Sequence, residues 1–133
     1  MAVTGLGTVE DTSTAYGQIA NQTAVITSET IDTEAIVREY FADIPVMIQV
    51  ARCESTFRHT LADGSVLRGI VDDRDTGVMQ INTYYHGDRA DELGLDLENI
   101  YDNMAYARDL YERQGTQPWS ASAPCWNRTL ASL

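Results

Sequence analysis

One helix constrains this chain more than any other segment. Pro45 suits the first turn of a helix, where its fixed φ is already helical and its missing N–H is not needed. From Pro45 the sequence runs PVMIQVARCESTF to Phe57. Met47, Val50, Ala51 and Glu54 fall at i, i+3, i+4 and i+7, along one stripe of that helix. Val46, Cys53 and Phe57 form the adjoining stripe. Glu54 is therefore set among buried-type positions, away from the solvated face. A helical glutamate ordinarily pairs with a cation one turn away, and Arg58 stands there. On an apolar stripe, however, desolvation raises a carboxyl pKa and keeps the acid protonated towards neutral pH. A protonated carboxyl is suited to donating a proton to a leaving oxygen, as cleavage of a glycosidic bond requires.

The elements around this helix follow from caps and breakers. Asp32 or Thr33 can cap a preceding helix whose apolar positions are Ile36, Val37, Tyr40 and Phe41. After Phe57 the pattern changes. Gly64, Gly69, Gly77 and the acidic turn Asp72-Asp73-Arg74-Asp75 divide two short apolar runs, Val66–Val71 and Val78–Ile81, which predict a small hairpin or loop excursion. Asp88 can cap a short helix closed by Gly94, and Asp96 can cap a further turn. A longer helix is predicted from Asp102 to Gln114, with Met104, Ala107, Leu110 and Tyr111 inward and Gly115 as its stop. Residues 119–133 form a closing segment with Cys125 and Trp126. The fold class is α+β, predominantly helical, over residues 32–133. Residues 1–31, rich in Thr, Gly, Ser and Ala without a steady period, read as a tail or linker, with possible docking to a larger assembly.

Composition narrows the function classes. The 133 residues carry a formal net charge of −11, and all nine basic residues are arginine. So acidic a chain has no basic face for phosphates, which argues against nucleic acid. It is also weakly repelled by anionic wall polymers at low salt. No apolar run is long enough for a membrane span, and no basic-plus-apolar leader is visible. Cys53 and Cys125 lie in no CxxC pair. They are either two core thiols or one disulfide, and the bridge, worth about 4 kcal/mol in the chain-entropy picture, is the preferred reading, with an extracytoplasmic location. No cofactor is expected. The acidic turn offers oxygens to calcium but lacks EF-hand spacing, so a solvated turn is the stronger reading and no metal site is expected. His59 and His86 have no HExxH spacing and read as surface or loop histidines.

Three segments, in order, resemble one family. Ala51-Arg52-Cys53-Glu54-Ser55-Thr56-Phe57 resembles the E-S-x-F motif of soluble lytic transglycosylases and goose-type lysozymes. Gly77-Val78-Met79-Gln80-Ile81-Asn82 resembles their G-L-M-Q-I-N motif, and Asn103 to Leu110 looks like their later helix. Cys53 directly before Glu54, and Pro118-Trp119 through Cys125-Trp126, resemble the arrangement in resuscitation-promoting factors, where a bridge would pin the catalytic helix to the closing segment.

The resemblance implies a lysozyme-like fold and a glycosidase acting on peptidoglycan glycan strands, secreted, in the cell envelope or delivered by a phage particle. Glu54 would be the general acid and later the base. Ser55, Gln80 and Asn82 would lie around the cleft, with Gln80 and Asn82 as hydrogen-bonding groups. Asn103 would help order the motif helix rather than touch substrate. Tyr84, Tyr101, Tyr106 and Trp119 are candidates for stacking on sugar rings, with plain core packing as the alternative for each. Goose-type enzymes carry aspartates flanking the G-L-M-Q motif. Here Asn82 and Val71 stand at those positions, and Asp72, Asp73 and Asp75 lie nearby, with Asp75 and Asp73 the candidates for a second carboxylate. A lone carboxylate favours lytic, anhydro-forming transglycosylation. The alternatives are a hydrolytic lysozyme and a silent peptidoglycan-binding or assembly module.

Overall fold

Pro45 opens a helix, as its position predicts, in the computed structural model of the chain, which describes residues 32–131. The tail expected over residues 1–31 lies outside the described residues. Helix α1 spans Thr33–Tyr40 and buries Val37, with Phe41 fully buried just beyond its end. Helix α2 spans Pro45–Ser55, and Met47, Val50 and Ala51 of the predicted stripe have no exposed surface. Burying side chains the size of Met47 and Val50 stabilises by about 1.5–3 kcal/mol each, and Ala51 contributes less.

Helix α2 stops two residues before the apolar pattern does. Thr56 and Phe57 take φ of 50° and 58°, in the left-handed region. Such a backbone is costly for a β-branched residue, about 1–3 kcal/mol. Local hydrogen bonds offset it. The Thr56 N–H donates to the Arg52 carbonyl at 2.8 Å, and the Thr56 hydroxyl donates to the Ser55 carbonyl at 2.6 Å.

The small sheet lies after α2, where the glycines and the acidic turn place it, but its residues differ from the expected ones. Strand β1 (Asp75–Thr76) pairs antiparallel with β2 (Ile81–Asn82), Asp75 opposite Asn82 and Thr76 opposite Ile81. The run Val66–Val71 adds only single bridges, Val66 to Thr60 and Arg68 to Thr76. Its end turns outward, and Ile70 and Val71 are fully exposed. Val78 and Met79 are buried in the β1–β2 turn instead of in a strand.

Helix α3, Thr83–Glu92, begins five residues before the Asp88 expected as its cap. Asn82 is the cap, its Oδ1 accepting from the N–H groups of Tyr84 and Tyr85. Asn99 likewise caps α4, Ile100–Gln114, which starts ahead of the predicted Asp102 and ends at Gly115 as expected. A 3₁₀ segment, Gln117–Ser122, leads into α5, Ala123–Ala131. The described chain is therefore α+β and mostly helical, with a two-stranded sheet.

Two buried polar residues hold the β1–β2 turn against the core. Asn103 of α4 accepts the Met79 N–H at its Oδ1 and donates from Nδ2 to the carbonyls of Thr76 and Leu97. His59 corrects the surface assignment. It is 3% exposed, accepts the Val78 N–H at Nδ1 and donates from Nε2 to the Glu98 carbonyl. Between them Gly77 has φ of 74°, and a Cβ there would meet Asn103 Nδ2 and His59 Cε1 at 2.6 Å each. Only glycine allows both side chains to close on this turn.

Cys53 and Cys125 form a disulfide, with Cα atoms 6.0 Å apart, that joins α2 to α5. These two helices also pack against each other. No helix among the described residues is long and apolar enough to cross a membrane.

Candidate active site

Two cavities, of about 350 and 320 Å³, share a wall made by Glu54, Asp75 and Gln80. The first continues past His86, Tyr85, Pro118 and Trp119. The second continues past Arg58, Arg68, Leu67, Ile70 and Val71. Glu54 thus stands where an open groove extends on both sides of it.

Burial is the main cause that pushes the Glu54 carboxyl above its ordinary value. The negative charge of Asp75 adds to the rise, while a hydrogen bond from Ser122 opposes it. Ser122 Oγ lies 2.6 Å from Glu54 Oε2 and 3.1 Å from the Trp119 carbonyl oxygen. A hydroxyl has one proton to give and two lone pairs to receive. When Glu54 is ionised, Ser122 donates to it. When Glu54 is protonated, the acid donates to Ser122, whose own proton turns to the Trp119 carbonyl. One side chain therefore serves both protonation states without moving its oxygen.

The second carboxylate of the groove is Asp75, which lines both cavities. Its Oδ1 accepts from Asn82 Nδ2 at 2.9 Å, across the β1–β2 pair. Asn82 Nδ2 also reaches Asp72 Oδ2 at 3.0 Å. With its Oδ1 capping α3, the Asn82 side chain is fully engaged, so it positions Asp75 and lines the groove at the same time. Asp73 is exposed and lines neither cavity. Asp72 is held at about 2 by hydrogen bonds from Arg74, so its oxygens are already in use. Among the described residues no group of three or more His, Cys, Asp or Glu is placed to hold a metal ion.

The other expected site residues divide sharply. Gln80 lines both cavities, in a left-handed backbone with φ of 51°, and its amide donates to the Gly77 carbonyl. Trp119 lines the first cavity, and its indole N–H donates to the Met79 carbonyl at 2.9 Å. Ser55 does not face the groove. It is buried, with its hydroxyl bonded to the Ala51 carbonyl one turn back and accepting the Arg58 N–H. Tyr106 is fully buried and so cannot stack on a sugar ring. Tyr84 and Tyr101 are exposed outside the groove walls, and Tyr84 instead lies against the Arg74 guanidinium.

Three further residues belong to the site, two on the groove wall and one, Ser122, that touches Glu54 without lining either cavity. Tyr85 lines the first cavity, one position beyond the expected Tyr84. His86 is half-buried on the groove wall, with its Nδ1 2.9 Å from the Tyr106 hydroxyl, and burial lowers its pKa. Ser122 lies 68 residues from Glu54, and no local pattern marks it. Comparisons of this chain with protein-family models, curated proteins and solved structures return no match.

Proposed function

We propose that this chain is a lysozyme-like glycosidase that cuts the MurNAc–GlcNAc β-1,4 bond of peptidoglycan, with Glu54 as general acid and then general base. The observation that carries this reading is the setting of Glu54, a carboxyl raised by burial in the middle of an open groove. The three ordered motifs around Glu54, Gly77–Asn82 and Asn103–Leu110 supply the substrate class. The Cys53–Cys125 bridge suits an oxidising, extracytoplasmic setting.

In the first step Glu54 gives its proton to the linking oxygen as the C1–O bond breaks. Ser122 then donates to the new carboxylate, which stabilises it at the moment charge appears. In the transglycosylase route the acetamido group of the cleaved sugar assists. Its 6-hydroxyl then attacks C1 and returns a proton to Glu54, leaving a 1,6-anhydro end. This route needs one carboxylate. Asp75 favours a second reading, hydrolysis, because an oriented carboxylate on the same wall can activate water for attack at C1.

Digestion of purified cell walls followed by mass spectrometry tests both. Anhydro ends support transglycosylation, and reducing ends support hydrolysis. The second route also requires that Asp75→Asn abolish reducing ends. Binding to walls with no fragments released would overturn the enzyme reading in favour of a silent binding module.

A further inference from the structure

Glu54, Asp75 and Gln80 are the residues that both halves of the groove share. Gly69, on the wall of the second half, lies against two of the three. A Cβ on Gly69 would fall 3.0 Å from Asp75 Cβ, 3.2 Å from Gln80 Oε1 and only 2.4 Å from the Asp72 carbonyl oxygen. Carbon atoms that are not bonded rest at about 3.5–4.0 Å, so no side chain fits here unless the Asp72 backbone moves.

Conformation does not explain this glycine. Gly64, Gly77, Gly94 and Gly115 have positive φ, and Gly69 does not. Close approach explains it, because a bare α-carbon lets two stretches of chain come together. The stretch Leu67–Gly69 runs along β1. Arg68 is bridged to Thr76, the Gly77 N–H donates to the Leu67 carbonyl, and the Gly69 N–H donates to the Asp75 carbonyl, both at 2.9 Å. The Asp75 N–H donates to the Asp72 carbonyl at 3.0 Å and closes the turn that Gly69 meets. At the far end of the same residue, Asn82 holds Asp75 Oδ1. Gln80 is held too, with its Nε2 on the Gly77 carbonyl and its Oε1 beside Gly69.

We infer that Gly69 is a positioning residue, its bare backbone being the stop against which Asp75 and Gln80 are set beside Glu54 in the groove. Its part in catalysis rests on the glycan-cutting reading, whereas the placing of Asp75 is a property of the folded chain and is read without turnover. A methyl at position 69 has to push the Asp72–Asp75 turn back, and Asp75 carries its charge with it. That charge acts on the Glu54 carboxyl, so Glu54 reports the displacement.

NMR titration of the Glu54 carboxyl in the full chain is the first reading. Gly69→Ala should shift its midpoint, and so should Asp75→Asn. Added to Asp75→Asn, Gly69→Ala should shift it no further, since the displaced charge is gone. Gly87→Ala, in α3 with nothing within 4 Å of the added methyl, is the control and should leave titration and activity unchanged. Wall digestion is the second reading. Gly69→Ala should release fragments ~10–100-fold more slowly, the scale for a catalytic group displaced by about 1 Å. An unmoved midpoint, the same shift with and without Asp75, or unaltered wall cleavage would overturn the proposal. A shift that depends on Asp75, in a protein that cuts no walls, keeps the positioning role and removes the enzyme. Where Gly69→Ala melts below the assay temperature, the parent chain decides. Its Gly69 amide signal, hydrogen-bonded to the Asp75 carbonyl, should follow the Glu54 midpoint, and an amide indifferent to that titration overturns the proposal as well.

Discussion

Ser122 Oγ lies 2.6 Å from Glu54 Oε2, although the two residues are 68 positions apart in sequence. The 3₁₀ segment Gln117–Ser122 supplies the hydroxyl and α2 supplies the acid. The disulfide ties α2 to α5, the helix that continues from that segment. The hydrogen bond favours the ionised form of Glu54, against the larger effect of burial.

Removing that hydroxyl should therefore raise the Glu54 pKa further. Ser122→Ala should move the alkaline limb of the kcat/KM profile to higher pH, since the protonated acid persists longer. The rate at the optimum should fall about 10-fold, the effect of one lost hydrogen bond to a charged group. An unchanged pH profile would show that Ser122 does not act on Glu54.

Glu54 itself should trade stability for chemistry. Its folded pKa lies above the ordinary 4.5, so its share of stability is complete below that value and is lost as pH rises through the folded pKa. Glu54→Gln removes this loss. The variant should melt at a higher temperature than the parent at pH 8 and show little gain at pH 4, while wall-clearing activity falls by at least about 100-fold.

The bridge should matter to both fold and groove. Cys53→Ser with Cys125→Ser should lower unfolding free energy by about 2–5 kcal/mol, measured by urea denaturation. Activity should fall more steeply than the folded fraction, because the helix leading from Ser122 is no longer tied to α2.

Gly77→Ala should be among the most damaging single-methyl changes. Its Cβ would fall 2.6 Å from Asn103 Nδ2 and from His59 Cε1, at a positive φ. A loss of more than about 2 kcal/mol is expected, because both strain and a lost polar contact act at once. Thermal melting of the purified variant measures it.

His59 should make the fold acid-sensitive. Burial lowers its pKa below the ordinary 6.5, with smaller opposing contributions from the Glu98 carbonyl and the charges of Asp96 and Glu98. The unfolded chain then binds the proton more readily, so this contribution to stability is complete above about pH 6.5 and declines as pH falls towards the folded value. His59→Asn or His59→Gln should flatten the melting temperature between pH 7 and pH 5, at the cost of a lower melting temperature at pH 7.

Much of this molecule was legible in short windows of sequence. The stripe Met47, Val50, Ala51 and Glu54 predicts both the helix and the desolvated acid, because helical periodicity is a property of neighbours three and four apart. Gly115 predicts the end of α4 for a similarly local reason. Caps were harder to read: Asn82 starts α3 where Asp88 was the expected cap, and Asn99 starts α4 ahead of the expected Asp102. An aspartate one turn inside a helix looks locally much like an aspartate at its start.

What only the tertiary structure decided is which distant groups meet. Burial of His59, the outward turn of Ile70 and Val71, the fully buried Tyr106 beside the exposed Tyr84 and Tyr101, and the partnership of Ser122 with Glu54 leave no periodic trace. Composition by itself set the acidity and the candidate cysteines. It could not choose Asp75 over Asp73 as the carboxylate of the groove, because two residues in one turn differ only in the direction the folded backbone points them. Pairing of β1 with β2 makes that choice by putting Asp75 opposite Asn82, whose amide then holds it on the wall beside Glu54.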